Sequence, residues 1–134
     1  MSEFSQKDRD KFIKLYAGIK VENTQDVNKL SEAINKEWEK RKISFLDNEN
    51  ISMINVFLHS PEDSEVFVGH AGILLQIKNE LLFIEKYAPT LPFQVSKFKN
   101  RLELKGYLMD RLDNDTSGNG SSKPIIMENN NLIN

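Results

Sequence analysis

Only a few side chains of this sequence could act as catalytic bases or nucleophiles, because it contains two histidines and no cysteine. His70 lies in Val-Gly-His-Ala-Gly (residues 68–72), at the start of an apolar β run. The flanking glycines leave room for another backbone or a ligand to approach. Glu85 lies in the next apolar run, where a core position would carry an apolar residue. A carboxylate that reaches a histidine can fix its tautomer and stabilise the imidazolium, as the base and orienting residue of a catalytic triad do.

Whether these two residues meet depends on the turn between the two apolar runs. If residues 78–79 form a two-residue turn, Gly72 faces Glu85 and His70 faces Tyr87, so His70 and Glu85 are diagonal neighbours on one face. A three-residue loop would place them on opposite faces, because side chains alternate strictly along a strand. The structural alternative is a half-buried strand histidine beside a solvated glutamate.

The remaining polar residues give weaker signals. His59 follows a strand and precedes Ser60–Pro61, which predicts a histidine exposed in a loop. No ligand spacing supports a metal site that joins His59, His70 and a carboxylate, so we expect no metal and no cofactor. The sequence contains neither a phosphate-binding glycine loop nor a nucleophile elbow. A basic cluster interrupted by Glu103 indicates a solvated helix start rather than a phosphate site; it comprises Lys97, Lys99, Arg101 and Lys105.

Composition excludes several classes of protein. The 134 residues carry 18 basic and 20 acidic side chains, a net charge of −2, without the basic footprint of a nucleic-acid-binding protein. No apolar run is long enough to span a membrane. The polar N-terminus lacks the apolar stretch of a signal peptide, so we expect a cytoplasmic chain. Without cysteine there is no disulfide, thiolate metal site or thiol nucleophile.

Hydrophobic periodicity predicts a single α+β domain over residues 1–134, with an antiparallel sheet, a central hairpin and flanking helices. Helices are expected over residues 6–17 and 25–41, the second opening at Thr24, and from the capping pair Asn100 and Glu103 to about Leu112. Asn79 is the residue expected to be left-handed in the hairpin turn. Trp38 and Phe12 are predicted core residues, residues 113–123 a flexible loop, and residues 128–134 a fraying end. The strands are predicted over Ile51–Leu58, Val66–Ile77, Leu81–Tyr87, Phe93–Phe98 and Ile125–Met127.

Several stretches together resemble a bacterial lipoprotein-like family catalogued as domain of unknown function 4300. They are Glu-Trp-Glu-Lys-Arg-Lys-Ile-Ser-Phe (residues 37–45), Val-Gly-His-Ala-Gly (68–72), Leu-Phe-Ile-Glu-Lys (82–86), Pro-Phe-Gln (92–94) and Ile-Ile-Met-Glu-Asn (125–129). The resemblance covers nearly the whole chain and is to the C-terminal portion of that family. It implies a partial domain whose full-length relatives are exported lipoproteins.

That family in turn resembles the papain-like, NlpC-type fold, in which a helix presents a cysteine and the next strand begins with a histidine. The resemblance implies that His70 is the base and Glu85 the orienting residue, with the cysteine on an upstream half. It also implies that the cysteine-bearing helix packs across the sheet face that carries the histidine. Unless the first two helices fold over that face, Leu74 and Phe83 should be partly uncovered, with self-association or marginal stability as the consequence.

Three functional hypotheses follow. The first is a truncated, catalytically incomplete relative of a papain-like cysteine hydrolase, whose intact relatives cleave amides or esters. The second is a non-enzymatic binding module in which the groove around His70 holds a peptide or a cell-wall fragment. The third is an immunity or interaction protein whose partner supplies the missing half. The sequence specifies neither the substrate nor the oligomeric state.

Overall fold

The computed structural model describes residue 10 and residues 13–88, 90–113 and 120–133. In these ranges an antiparallel sheet is flanked by helices α1 (Val27–Lys40) and α2 (Arg101–Leu112), and residues 13–16 are also helical. The strands are β1 (Ile19–Lys20), β2 (Ile51–Ser60), β3 (Glu65–Ile77), β4 (Glu80–Lys86), β5 (Phe93–Phe98), β6 (Ile125–Glu128) and β7 (Asn131–Leu132). The predicted α+β class and antiparallel sheet are confirmed.

The sheet has the strand order β5-β4-β3-β2-β6-β7, and β1 pairs with the first residues of β3. The central hairpin is β3–β4, in which Ile77 pairs with Glu80 across a two-residue turn. The expectation of a left-handed Asn79 is wrong: Lys78 takes the positive φ, 55°. The common two-residue hairpin turns require a positive φ at their first central position, which Lys78 occupies.

Side chains cap both helices. The carboxylate of Asp26 accepts a hydrogen bond from the Asn28 backbone N–H, so α1 starts at residue 27 and not at Thr24 as predicted. The predicted capping pair of α2 is confirmed, because Asn100 Oδ1 accepts from the Glu103 backbone N–H at 2.9 Å. The Glu103 carboxylate in turn accepts from the backbone N–H of residue 99. Reciprocal caps of this kind satisfy backbone donors that no helical carbonyl can reach.

The two helices cover opposite faces of the sheet. On one face α1 packs its apolar residues, Trp38 among them as predicted, against β2 and β6. On the other face α2 packs Leu104 and Leu108 against side chains of β2, β3 and β4. The alternation along β6 shows the division, since Ile126 belongs to the α2 side while Ile125 and Met127 belong to the α1 side. The predicted core residue Phe12 lies outside the described residues.

A β-bulge at Gly69 decides which face His70 joins. Val56 pairs with His70, but the next residue of β2 pairs with Val68, so Gly69 is the extra residue on β3. Because the bulge breaks the alternation, Val66 packs on the α1 side while Leu74 packs on the α2 side, although both are even-numbered. His70 lies beyond the bulge and therefore faces α2.

Side chains of the protein itself fill the space that the glycines beside His70 leave. A Cβ atom on Gly69 would lie 2.5 Å from the Leu58 side chain, and one on Gly72 would lie 2.5 Å from the Phe83 ring. Of the two expected neighbours, a backbone or a ligand, Gly72 has the first, because the Ile84 carbonyl oxygen would lie 2.8 Å from its Cβ, and the added Cβ atoms would find no free space for the second. The glycines allow close packing within the sheet and against its core instead.

Two further expectations are wrong for reasons of packing. Leu74 and Phe83 are fully buried rather than partly uncovered, because α2 lies across their face of the sheet. Of the first two predicted helices, the second (α1) packs on the opposite face, as does Leu15 from the described part of the first. Residues 131–132 do not fray but form β7, in which Leu132 pairs with Met127. Residues 114–119 of the predicted flexible loop lie outside the described residues.

Two glycine-to-alanine substitutions should change the free energy of unfolding in opposite directions. Gly72→Ala should cost about 2 kcal/mol, because the new methyl group meets the Phe83 ring and, at 2.8 Å, the Ile84 carbonyl oxygen. Gly106→Ala is the control within α2, where no atom lies within 4 Å of the new Cβ, and it should stabilise by up to about 1 kcal/mol. Urea unfolding followed by Trp38 fluorescence measures both values. Equal effects would contradict the packing at Gly72.

Candidate functional site

A buried carboxylate forms the centre of the candidate site. Glu85 lies on β4 two residues after Phe83, so strand alternation directs both side chains toward α2. Only 1% of Glu85 is exposed. Burying an unpaired carboxylate is very costly, so hydrogen-bond donors must surround it. Three side chains provide them: His70, Tyr107 and Arg111.

His70 contacts Glu85 directly. Gly72 pairs with Glu85 across the hairpin, as the two-residue turn predicts, and His70 is the diagonal neighbour on the same face. The distance between His70 Nε2 and Glu85 Oε1 is 2.6 Å. The predicted contact is therefore present in the structure, and the catalytic roles of the two residues stay a prediction.

Two residues of α2 complete the surroundings of the carboxylate. The Tyr107 hydroxyl donates to Glu85 Oε2, and Arg111 Nη1 donates to Glu85 Oε1 at 2.6 Å. Arg111 Nη1 also donates to the Tyr107 hydroxyl at 2.9 Å. Glu85 therefore accepts hydrogen bonds from two side chains of α2, one at each carboxylate oxygen.

Tyr87 belongs to the same cluster, one residue beyond the end of β4. Its hydroxyl lies 3.2 Å from that of Tyr107, which already donates its proton to Glu85, so Tyr87 is the donor of this pair. The Arg111 guanidinium lies 4.4 Å from the Tyr87 ring centroid and 5.4 Å from that of Tyr107. Such contacts between a cation and aromatic rings restrain the arginine.

The electrostatics of the cluster keep its donors protonated. Burial raises the pKa of Tyr107, and the hydrogen bond to Glu85 raises it further. For Arg111, burial acts to lower the pKa, but the hydrogen bond to Glu85 and the charge of that carboxylate outweigh it, so the pKa is raised. Tyr107 and Arg111 therefore remain donors to Glu85 throughout the physiological pH range.

One nitrogen of His70 is fixed and the other is available. With Nε2 donating to Glu85, the neutral imidazole carries its lone pair on Nδ1. Among the described residues no side chain or backbone group forms a hydrogen bond with this Nδ1 atom. The His70 side chain is 11% exposed. The arrangement is that of a largely buried histidine whose ring is oriented by a carboxylate.

The prediction that His59 is exposed in a loop is wrong. β2 continues to Ser60, and His59 pairs with Val66 inside the sheet, where it is buried. Its Nδ1 atom accepts a hydrogen bond from the Ser122 backbone N–H at 3.0 Å. Ser121 and Ser122 are themselves buried beside it. His59 therefore attaches the segment before β6 to the end of the β2–β3 hairpin.

Two further sites considered in the sequence are the metal site and the basic cluster. In the described part of the chain, no group of three histidine or acidic side chains lies close enough to hold a metal ion. Of the basic cluster, Arg101 forms two hydrogen bonds with Glu128, at 2.5 and 2.8 Å, and Lys97 pairs with Glu80 at 3.6 Å. These side chains therefore have protein carboxylates as partners.

The sequence analysis missed Tyr107 and Arg111, although a signal for them exists. Leu104, Leu108 and Arg111 follow the helical spacing of a buried stripe, and Tyr107 lies between them. An arginine in line with such a stripe can place its charge in water or pair with an acidic residue at the edge of the core. Glu85, the one acidic residue within the apolar face of β4, is that partner.

Replacing Arg111 tests how much the stability of the fold depends on a cation beside the buried Glu85 carboxylate. Arg111→Met should lower the free energy of unfolding by about 3 kcal/mol, because Glu85 stays buried without its permanent cation. Arg101→Met is the matched control on the same helix, and its surface pair with Glu128 should be worth about 1 kcal/mol or less. Denaturant unfolding at neutral pH measures both. Similar losses in the two variants would contradict the central position of Glu85.

The buried histidine should make stability fall in mild acid. Burial lowers the pKa of His59, so between that folded value and the unfolded value of about 6.5 the unfolded chain binds more protons. Stability is therefore retained above pH ~6.5 and lost as the pH falls below it. His59→Asn keeps an acceptor for Ser122 and should flatten this part of the profile. Thermal melts across the pH range measure it, and an unchanged slope would contradict the assignment.

A second group with a lowered pKa acts in a separate pH window. The hydrogen bond from Arg101 lowers the pKa of Glu128, against the opposing effect of burial. Its contribution to stability is therefore lost only below the ordinary glutamate range, near pH 4.5. Arg101→Met should remove the loss of stability that Glu128 causes below about pH 4.5 and leave the loss that His59 causes below about pH 6.5 unchanged.

Comparisons with known proteins place the chain in a family. In the described residues no helix is long and apolar enough to cross a membrane. No curated protein and no solved structure matches the chain. A family model described as Domain of unknown function (DUF4300) matches residues 1–133, nearly the whole sequence. The chain is therefore a member of the DUF4300 family.

Proposed function

We propose that His70 is the base and Glu85 the orienting residue of a papain-like hydrolytic site whose cysteine is not in this chain. On this proposal the chain is a catalytically incomplete relative of a cysteine hydrolase that cleaves amides or esters. The observation that carries the proposal is the 2.6 Å contact between His70 Nε2 and the buried Glu85 carboxylate. This contact leaves His70 Nδ1 directed away from Glu85 and able to accept a proton.

The chemistry follows from the tautomer. Nδ1 of His70 takes the proton of a thiol supplied from outside this sequence, and the thiolate attacks the carbonyl carbon of the substrate. The imidazolium then returns the proton to the leaving amine or alcohol as the carbonyl–leaving-group bond breaks. Water, activated by the same nitrogen, hydrolyses the resulting thioester. Glu85 holds the ring in place throughout.

The contacts of Glu85 indicate whether it would assist His70 mainly by its charge or by orienting the ring. Its Oε1 atom is shared between His70 and the permanently charged Arg111, both at 2.6 Å. Because the arginine already compensates much of the negative charge, the carboxylate adds less electrostatic stabilisation to an imidazolium than an unpaired one would. Its main contribution is therefore the orientation and tautomer of the ring. Tyr107 fixes the other oxygen and prevents rotation of the carboxylate.

Activity should depend on a segment encoded upstream. The chain alone contains no cysteine and should not hydrolyse peptide or ester substrates. Translation of the DNA upstream of Met1 in all frames should show a cysteine-bearing helix. Co-expression of that segment with this chain should produce ester hydrolysis, which His70→Ala should abolish and His59→Asn should preserve. Hydrolysis by the chain alone would overturn the proposal, as would full activity of His70→Ala.

The assay also separates the competing functions. A binding module would retain peptides or cell-wall fragments without hydrolysis, and His70→Ala would weaken their binding while co-expression produced no activity. An interaction protein would bind an unrelated partner with both histidine variants unchanged. Either pattern would replace the hydrolytic proposal with that class.

The tautomer of His70 provides a direct physical test. Nitrogen NMR of the purified chain, at mildly alkaline pH, should show His70 with the proton on Nε2 and the lone pair on Nδ1. Glu85→Gln should change this signal, because the amide can present a donor where the carboxylate only accepts. The His59 signal serves as the internal control and should not move. An Nδ1-protonated His70 in the unmodified chain would contradict its role as the base.

A further inference from the structure

The sheet has an uncovered apolar face on the side away from His70. α1 covers the part of this side formed by β2, β6 and the first residues of β3, but no helix of the described part of the chain covers the part formed by β3, β4 and β5. Ile73, Ile77, Phe93 and Val95 are 47%, 50%, 66% and 62% exposed there. The register joins them on one face, because Ile73 pairs with Ile84 and Ile84 pairs with Val95. This open face comprises Ile73, Ile77, Leu82, Ile84, Phe93 and Val95.

The open face differs in solvent exposure from the opposite face of the same strands. Leu74 and Phe83, which alternate with these residues along the same strands, are fully buried beneath α2. Four half-exposed and two partly exposed large side chains form an apolar patch on the order of 500 Å2, near the upper end for a monomer's largest patch. Contiguous patches of this size mark interaction surfaces.

We propose that a second copy of this chain packs on the open face and forms a two-fold symmetric dimer. Two such patches would bury about 1,000 Å2, the lower limit of a specific interface, so the dimer should dissociate at micromolar concentrations. Antiparallel sheets pack face to face through interdigitated apolar side chains. The net charge of −2 adds little repulsion between the copies.

The charges at the rim match a two-fold arrangement. Glu80 and Lys86 begin and end β4, and both share a face with Leu82 and Ile84 because their numbers have the same parity. A two-fold axis that crosses the middle of β4 makes the two copies of this strand antiparallel. Glu80 of each copy then lies near Lys86 of the other, so opposite charges meet at both ends of the interface. Both side chains are exposed in the single chain, where Glu80 contacts Lys97 at 3.6 Å and Lys86 lies 4.7 Å from the Phe93 ring centroid, so the dimer would exchange these exposed contacts for contacts between copies.

The dimer would leave the candidate site accessible. His70 and Glu85 face α2, on the other side of the sheet. A segment that supplied a nucleophile to His70 would therefore approach from the side opposite the second copy. The dimer and the proposed hydrolytic site are independent, and each can fail without the other.

Sedimentation velocity of the purified chain, from low micromolar to several hundred micromolar concentrations, tests the proposal. The unmodified chain should convert from monomer to dimer across this range. Ile73→Lys should raise the dissociation constant by about ten-fold or more, because the interface would bury a charge. Leu102→Lys introduces the same charge at a 72% exposed leucine of α2 and should leave association unchanged.

Charge reversal distinguishes the two-fold dimer from other assemblies. Glu80→Lys and Lys86→Glu should each weaken association, and the double variant should restore it, because the two residues meet only between copies. Urea unfolding confirms that each variant remains folded. A monomer at every concentration would overturn the proposal, and so would equal weakening by Leu102→Lys. Binding of the upstream segment that Ile73→Lys abolishes would assign the open face to that segment instead.

Discussion

The carboxylate of Glu85 is the constraint on which the arrangement of the candidate site depends. A charge with almost no solvent contact must be satisfied by fixed donors, and these come from β3 and α2. One side chain therefore orients the His70 ring and links it to α2, whose apolar residues Leu104 and Leu108 already hold the helix on the sheet. An apolar residue at this position could be buried equally well but would not orient the ring.

The two faces of the sheet are covered to different extents. On the α2 side, apolar burial continues directly into the polar cluster, so the helix both closes the core and supplies Tyr107 and Arg111. On the α1 side, the helix covers only the β2–β6 half of the sheet, and the hairpin half remains open. The described chain thus has a polar cluster on one side of the sheet and an exposed apolar face on the other. The two are separate because a single sheet presents two different sets of side chains.

Local features of this fold could be predicted from sequence, and features that depend on distant segments could not. The contact between His70 and Glu85 follows from strand alternation and the length of one turn, and the cap at Asn100 follows from its own side chain. The burial of His59 depends on Ser122, more than sixty residues away, which no local pattern indicates. The cover over Leu74 comes from α2, whose partner face cannot be known before the helix is docked. Tyr107 and Arg111 were missed for the same reason, although their helical spacing shows that they share a stripe.

The bulge at Gly69 has an evolutionary consequence. Deleting this single residue would restore regular pairing between β2 and β3, and alternation would then place His70 or its neighbours on the wrong side of the sheet. The loss of one codon would therefore remove His70 from the polar cluster without altering any other residue within it. Among relatives, a chain that keeps the histidine, the glutamate and the arginine but lacks the bulge would not bring them together, so the length of this strand is as informative as its residues.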